Sequence, residues 1–265
     1  MTEIYLDNSA TTRCLESVAN IVAKVMCEDY GNPSSMHMKG VQAENYVKMA
    51  RMVIAKNLKV NEKEIFFTSG GTESDNWAII GAAMANHRAG NHLITTCIEH
   101  PAVLRTMEYL ETQGFQVTYL PVDSQGVIQS DTLSEYLSDS TKLVSIMFAN
   151  NEIGTIQPIK ELCELAHSKG ALFHTDAVQA VGHIPVDVKE LNVDMLSASA
   201  HKFNGPKGIG FLYIKKGTNI VPYADGGAQE FGLRAGTENV ASIVAMAVAL
   251  EKNCKRMDSI NARLI

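Results

Sequence analysis

Several classes of protein are excluded by what this sequence lacks. No apolar run reaches the roughly 18 residues that a transmembrane helix needs, and the densest one, ASIVAMAVAL at 241–250, is too short. The N-terminus, MTEIYLDNSATT, has no basic region followed by an apolar stretch, so we predict no signal peptide. Basic residues are not in excess, because the net charge is −6 at pH 7. This charge gives no electrostatic reason to expect nucleic acid or an anionic membrane as a partner.

Cysteine is scarce and scattered. The chain has five cysteines, an odd number, and no two of them form a CxxC pair. This usage predicts neither a disulfide framework nor a zinc site, and we expect no metal ligands. The cytoplasm, a reducing compartment, is the simplest location for such a protein. The five are Cys14, Cys27, Cys97, Cys163 and Cys254.

Short apolar runs rich in β-branched or aromatic residues alternate with stretches of helical periodicity. This pattern is typical of an α/β fold with a mostly parallel sheet and helices on both faces. The 265 residues are enough for one large domain, or one and a half. The predicted strands are 64–69, 91–97, 115–120, 141–149, 171–176, 193–199 and 208–215, and the clearest helices are 72–87, 101–114 and 159–170.

Polar residues crowd at the ends of five successive predicted strands. In open sheets of this kind, ligands bind beyond the carboxyl ends of the strands. One polar loop would be ordinary, whereas five in succession favour one shared site. The five sets are Ser69–Thr72, Glu99 with His100, Asn150–Glu152, Asp176 with Gln179, and Ser199 with His201 and Lys202.

The stretch TSGGTESDN, 68–76, is a glycine-containing loop that opens a helix. Bare backbone N–H groups and the positive end of a helix favour an anion, most simply a phosphate. Thr72 alone is a weak signal, since it also suits a plain N-cap. No Walker loop is present, and the G-x-G at Gly208 and Gly210 precedes a predicted strand and is therefore no dinucleotide-binding fingerprint.

The residues beside this loop suit pyridoxal 5′-phosphate (PLP). An unprotonated lysine amine is a nucleophile toward carbonyls, and burial lowers the pKa of a lysine such as Lys202 toward that state. Asp176 has the charge to pair with a protonated ring nitrogen, and His100 can stack on an aromatic ring. A phosphate cradle, a reactive lysine and an aspartate partner are the parts that PLP requires.

Other basic residues have simpler interpretations. Lys207, in GPKG, is expected to be a turn lysine, and His174, inside a strand, is expected to be a core or wall histidine. No role is assigned to the histidines that lack a paired spacing for a metal. They are His37, His87, His92, His167 and His183.

Together these motifs resemble the cysteine desulfurases of class V of the PLP enzymes, the group that supplies sulfur for iron–sulfur cluster assembly. The resemblance implies PLP fold type I, with the chain forming the large domain. It covers almost the whole sequence in the family's order. The matching stretches are YLDNSATT (5–12), GNPSSMHMKG (31–40), FTSGGTESDN (67–76), EHPAV (99–103), ANNEIGTIQP (149–158), HTDAVQAVGH (174–183), SAHKFNGPKGIGFLY (199–213) and GGAQEFGLRAGTENV (226–240).

The resemblance implies a reaction, in which L-cysteine yields L-alanine and a persulfide, and a role for each matching residue. Lys202 would bond covalently to PLP, His100 would stack on its ring and assist proton transfer, and Asp176 would pair with the pyridine nitrogen. Gln179 and Asn151 would lie at the phenolic oxygen, Asn151 beside the substrate carboxylate as well. The phosphate ligands would be Gly71, Thr72, Ser199 and His201, with Thr237 reaching the partner subunit's cofactor in a homodimer.

One departure concerns a smaller C-terminal domain. In the family this domain carries a mobile loop with the nucleophilic cysteine and an arginine that binds the substrate carboxylate, and neither is found before Ile265. We expect residues 1–14 to pack with that domain, 15–250 to form the large PLP-binding domain, and 251–265 to lead toward the absent one. The chain is then a fragment, a naturally shortened protein or part of a split enzyme, and we expect it to be inactive alone.

Three functional readings follow. The first is a cysteine desulfurase with L-cysteine as substrate and an iron–sulfur scaffold or sulfur-acceptor protein as partner. The second is another class V enzyme, a selenocysteine lyase or an aminotransferase. The third is a non-catalytic subunit that keeps the fold. Cys97 is the only rival nucleophile, since it lies three residues before His100. A packing role is nevertheless favoured for it, and Cys163 is expected to be a buried, inert thiol.

Overall fold

The computed structural model describes residues 4–263 and is built around a seven-stranded sheet. The strand order is β1-β7-β6-β5-β4-β2-β3, with β7 antiparallel to both of its neighbours and the other pairs parallel. The predicted α/β class with a mostly parallel sheet is thus confirmed. The strands are β1 Ile65–Thr68, β2 His92–Thr96, β3 Gln116–Leu120, β4 Thr141–Ser145, β5 Leu172–Asp176, β6 Met195–Ser199 and β7 Gly210–Ile214.

Helices cover both faces of the sheet. Successive side chains of a strand point to opposite faces, so Phe66 joins one apolar cluster and its neighbour Phe67 joins the other. Leu93 and Ile94 of β2 divide in the same way. The cluster with Phe66 contains Trp77, and the larger one contains Val18 and Ile243. The helices are α1 Glu16–Cys27, α2 Met38–Leu58, α3 Gly71–Asn86, α4 Pro101–Thr112, α5 Ser130–Tyr136, α6 Ile159–Ser168, α7 Val188–Leu191 and α8 Val240–Asn261.

The predicted strand 141–149 is longer than β4, which ends at Ser145. Beyond Ser145 the chain still runs beside β5, because the Ile146 N–H donates to the His174 carbonyl (3.1 Å) and the Phe148 N–H to the Asp176 carbonyl (2.8 Å). The strand therefore loses its regular pairing but not its direction. This extension brings residues 150–152 to the edge of the sheet where β5 ends.

The segment 7–14 lies against the turn that follows β6. The Thr12 N–H and hydroxyl both donate to the His201 carbonyl, at 2.9 and 2.7 Å. The Thr12 hydroxyl also accepts from the Asn204 N–H at 2.8 Å. An N-terminal segment is thus placed beside residues that are about 190 positions later in the sequence. The predicted division at 14 and 250 stays a prediction, and its residues 1–3 and 264–265 lie outside the described residues.

Candidate active site

A cavity of about 550 Å³ opens where strands β1, β2, β4, β5 and β6 end. Parallel strands bring their carboxyl ends to one edge of the sheet, which is why residues distant in sequence meet there. Nine of the ten predicted site residues line this cavity. They are Gly71, Thr72, His100, Asn151, Asp176, Gln179, Ser199, His201 and Lys202.

One end of the cavity is suited to an anion. Helix α3 begins at Gly71 and points its first N–H groups outward, where no preceding turn can accept them. Gly70 has φ +150°, a conformation that other residues rarely adopt. A Cβ on Gly71 would lie 2.8 Å from Val178 Cγ2, so the bare backbone is needed at this approach. Ser199 lines the same end of the cavity.

Glycine is required at position 210 by a close backbone approach that the G-x-G motif does not indicate. A Cβ there would lie 2.4 Å from the Ala198 carbonyl oxygen and 2.7 Å from Gly70 Cα. Backbone at that distance cannot move aside easily, so Gly210 lets β7 pass directly beside the loop before α3.

His201 also lines the end of the cavity that is suited to an anion. Its Nδ1 is 3.0 Å from Thr11 Oγ1, which fixes the orientation of the ring.

Lys202 ends the short 3-10 turn that follows β6, and it is half-buried. Its Nζ donates to the backbone carbonyls of Ser9 and Ala10, the latter at 3.0 Å. Burial lowers the pKa of the Lys202 ammonium, while the negative charges of Asp176 and Asp7 act in the opposite direction. The amine is therefore held at the cavity wall in a position from which it can be released by breaking two hydrogen bonds.

Asp176 is the last residue of β5, and its side chain is buried. Its Oδ1 accepts from the Val178 N–H at 2.9 Å. Burial raises the pKa of the Asp176 carboxyl, and that N–H together with the positive charges of His100 and Lys202 lowers it. Gln179 lies one turn further on and donates through Nε2 to the Ser9 carbonyl at 2.9 Å.

The other two walls carry His100 and Asn151. His100 is the N-cap of α4, and its Nδ1 accepts from the Ala102 N–H at 3.1 Å. The neighbouring Asn150 shapes its loop by accepting from the Glu152 and Ile153 N–H groups, which leaves Asn151 at the cavity. Asn150 therefore stabilises the turn, and Asn151 lines the cavity.

Thr237 does not line this cavity. It is exposed, in the segment between β7 and α8. This segment is attached to the body of the protein by a buried ion pair between Arg51 and Glu230 and by a second pair, at 2.9 Å, between Arg234 Nε and Glu73 Oε1. The predicted reach of Thr237 into a partner subunit stays a prediction.

Several residues that were given simpler interpretations fall where expected. Lys207 is exposed in its turn, as expected of a turn lysine. His174 is fully buried between Ser145 and Ser197, as a satisfied core histidine should be. Cys163 is fully buried, as expected, and burial raises the pKa of its thiol to about 12, which disfavours the reactive thiolate. Cys97 is an exception: it is exposed, so the packing role favoured for it is wrong, although it does not line the cavity either.

The cavity also contains residues that the motifs alone did not single out. Asp7 and Ser9 belong to YLDNSATT, which carries no chemical signal until it is folded against Lys202. Asp75 lies one helical turn after Thr72 on α3, and the i, i+3 spacing would have placed the two on one face. Glu152, which was among the predicted strand-end residues but had no assigned role, also lines the cavity.

These residues fit PLP. The bare start of α3 with Ser199 and His201 suits a phosphate, the buried carboxyl of Asp176 suits a protonated ring nitrogen, and the Lys202 amine suits an aldehyde. A metal is not suggested, because between residues 4 and 263 no three His, Cys, Asp or Glu side chains cluster closely enough to hold one. No helix in the described part of the chain is long and apolar enough to cross a membrane.

Comparison with known proteins defines the family. The sequence profile described as Aminotransferase class-V matches residues 4–263, so the chain belongs to this family. It is 53% identical over 262 residues to the cysteine desulfurase IscS of Methanosarcina thermophila, a match that covers 99% of this chain and 65% of that protein. The chain thus spans less than two thirds of that relative's length.

Two solved structures share the fold. A NifS-like protein superposes with a TM-score of 0.95 at 46% identity, over 97% of this chain and 71% of that one. SspA, solved in complex with cysteine, superposes with a TM-score of 0.91 at 41% identity, over 94% of this chain and 72% of that one. At 46% and 41% identity, this chain is similar to the two proteins in sequence as well as in fold.

Proposed function

We propose that this chain is the PLP-binding part of a cysteine desulfurase, which converts L-cysteine to L-alanine and leaves the sulfur as a persulfide on a cysteine thiol. The observation that carries the proposal is the placement of the Lys202 amine and the Asp176 carboxyl on one cavity, opposite the bare N-terminus of α3. The similarity to the cysteine desulfurase of Methanosarcina thermophila supports the same conclusion.

PLP held here would supply an electron-withdrawing ring that stabilises negative charge on the substrate carbon. The proposed holding groups are the N–H groups of Gly71 and Thr72, Ser199 and His201 at the phosphate, and Asp176 at the ring nitrogen. The ionised Asp176 carboxylate would keep that nitrogen protonated, because an opposite charge favours the charged form of a neighbouring group.

Lys202 acts first in this proposal. Its amine, freed from the carbonyls of Ser9 and Ala10 and deprotonated, would be the group that holds PLP covalently through the aldehyde. Burial, which lowers its pKa, favours that deprotonation. We assign proton transfer to His100, which lines the cavity and is held at the start of α4 by its bond from the Ala102 N–H. Gln179 and Asn151 would orient the ring oxygen and the substrate carboxylate.

The substrate and the partners are also proposals. L-cysteine is supported by SspA, which was solved with cysteine bound. An iron–sulfur scaffold or another sulfur acceptor would receive the persulfide, and a homodimer would bring Thr237 to a partner's site. Residues 251–265 would lead to a smaller domain carrying the nucleophilic cysteine. The cytoplasm is the proposed location, because all five thiols are free.

The test is covalent capture of the cofactor. The protein is incubated with PLP, reduced with borohydride, digested and analysed by mass spectrometry. We expect a single reduced adduct on the peptide with Lys202, with Lys207→Arg unaffected and Lys202→Arg without adduct. An adduct on Lys207, or none, would refute the site. With a complete enzyme, comparing products from cysteine, selenocysteine and an amino donor plus a keto acid separates a desulfurase from a selenocysteine lyase and an aminotransferase.

A further inference from the structure

Two additional buried carboxyls lie behind Asp176. Asp75 on α3 is 1% exposed and Glu99, after β2, is 5% exposed, against 6% for Asp176. One oxygen of each, Asp75 Oδ1 and Glu99 Oε2, has no hydrogen-bond partner among the described residues. Asp75 also lines the cavity, as Asp176 does. An unpartnered buried oxygen is costly when it carries charge, so the protonation of Asp75 needs an explanation.

The groups around Asp75 supply no compensating cation. The nearest basic side chain is His174 on β5, whose Nε2 is 3.7 Å from Asp75 Oδ1. Its Nδ1 lies 2.9 Å from Ser145 Oγ and its Nε2 lies 3.0 Å from Ser197 Oγ, so both ring nitrogens are occupied by serines. Burial lowers the pKa of His174 to about 3, and the ring is neutral at physiological pH.

The three carboxyls cannot all be ionised in this environment. Burial raises the pKa of Asp75 well above its usual range, the charges of Asp176 and Glu99 raise it further, and hydrogen bonding from Ser197 acts in the opposite direction without reversing the shift. Burial raises the pKa of Glu99 to about 8, even though its Oε1 accepts from the Met147 N–H at 2.9 Å and from the Thr96 hydroxyl at 2.8 Å. Asp176 differs from the other two because, besides the bond from the Val178 N–H, the positive charges of His100 and Lys202 favour its ionised form. When one of the three carries the charge, it is Asp176.

We propose that Asp75 is a positioning residue held as a neutral carboxylic acid, so that Asp176 is the one carboxylate presented to the cavity from this wall. The cofactor part of this role rests on the proposed function, since a single charge is what a pyridinium nitrogen would pair with. The titratable groups that face Asp75 are His174 and Asp176 on β5 and Glu99 after β2, with His100 and Lys202 acting through Asp176.

The first test needs no cofactor. An acid that is protonated when folded and ionised when unfolded takes up a proton on folding, so wild-type stability falls as pH rises above the unfolded pKa of about 3.9. The Asp75→Asn variant has no carboxyl at this position, so its stability does not fall with pH for this reason. Between pH 5 and pH 8 the ratio of the variant's folding constant to that of the wild type should rise by up to about tenfold per pH unit. The measurement is urea unfolding followed by Trp77 fluorescence. Glu99 is present in both proteins, so its contribution to the pH dependence cancels in the ratio.

A ratio that is flat, or that falls with pH, would overturn the proposal, because Asp75 would then be ionised in the folded state. If Asp75→Asn does not fold, the wild type alone decides. Carbon-13 NMR of protein labelled at aspartate carboxyls should show one protonated aspartate at pH 7. None, or two, would contradict the assignment, and the aspartate label keeps Glu99 out of the spectrum.

The third measurement is PLP affinity. Asp75→Asn should keep it, since an amide replaces a neutral acid of the same shape. Asp176→Asn should lower it by roughly tenfold or more, as expected for loss of a hydrogen bond to a charged group. If the wild type does not bind PLP, the proposed function fails while the stability ratio still decides the state of Asp75. If both variants bind PLP equally poorly, the positioning role is wrong.

Discussion

Glu230→Gln is expected to lower the free energy of unfolding by about 3–5 kcal/mol, because it leaves the Arg51 guanidinium charged and buried without its partner. The pair is bidentate, with Arg51 Nη1 2.9 Å from Glu230 Oε2 and Nη2 2.8 Å from Oε1. The two side chains are only 10% and 2% exposed. This burial, not the number of contacts, makes the substitution severe.

The magnitude follows from the geometry. Two unit charges 2.8 Å apart attract by about 6 kcal/mol at an effective dielectric constant near 20. In the native protein much of this attraction offsets the cost of removing both ions from water. The substitution removes the attraction but leaves the desolvated Arg51. The bond from the Phe67 N–H to Glu230 Oε2, 2.8 Å, can be kept by the glutamine oxygen, but the glutamine NH2 group then faces Arg51 Nη2, so the loss includes that hydrogen bond as well as the charge.

The assay is urea unfolding followed by the fluorescence of Trp77, the only tryptophan. Trp77 is well placed, because its ring centroid is 5.6 Å from that of Phe66 on β1, next to the Phe67 amide that Glu230 binds. Its Nε1 also donates to the Val221 carbonyl at 3.0 Å, at the start of the segment that carries Glu230. The fluorescence therefore reports on both sides of the ion pair.

Glu44→Gln is the matched control. It breaks an ion pair with Lys48 on the same helix as Arg51, but those side chains are 45% and 63% exposed, and we expect little change in stability. If Glu230→Gln and Glu44→Gln destabilise equally, the reasoning from burial is refuted. Combining Arg51→Met with Glu230→Gln should cost less than the sum of the two single substitutions, because no isolated charge remains.

Two further predictions concern assembly and activity. Sedimentation velocity at micromolar concentration should show a dimer or larger, since Met36 and Met38 are 101% and 82% exposed and exposed apolar side chains favour association; a clean monomer would count against a site shared through Thr237. The PLP-loaded chain should release no sulfide from cysteine in the presence of a thiol reductant, because none of its five cysteines lines the cavity; robust release that Cys97→Ser abolishes would make Cys97 the nucleophile.

Much of the fold could be predicted from sequence because period and composition are local properties. The strands ending at Asp176 and Ser199 and the helix starting near Gly71 are visible as apolar runs, as helical periodicity and as a glycine-rich start. The rule that parallel strands end at one edge then predicts that Thr72, Asp176 and Lys202 meet. It needs no knowledge of which strands are neighbours.

The side-chain environment could not be predicted in this way. That Ser9 and Ala10 hold the Lys202 amine depends on a contact across about 190 residues, for which the local pattern has no signal. Asp75 in TESDN looks like a surface residue of a first helical turn. Only the packing of α3 onto the sheet shows that it is buried beside Asp176.

The sequence by itself therefore determined the α/β class, the order of elements and the set of residues at the strand ends, since these depend on spacing along the chain. The tertiary structure decided which of those groups are desolvated and which are paired, for example the neutral His174 between two serines and the Arg51–Glu230 pair. The physical reason is that burial and charge pairing depend on neighbours in space, and these neighbours shift the pKa values of Asp75, Asp176 and Lys202.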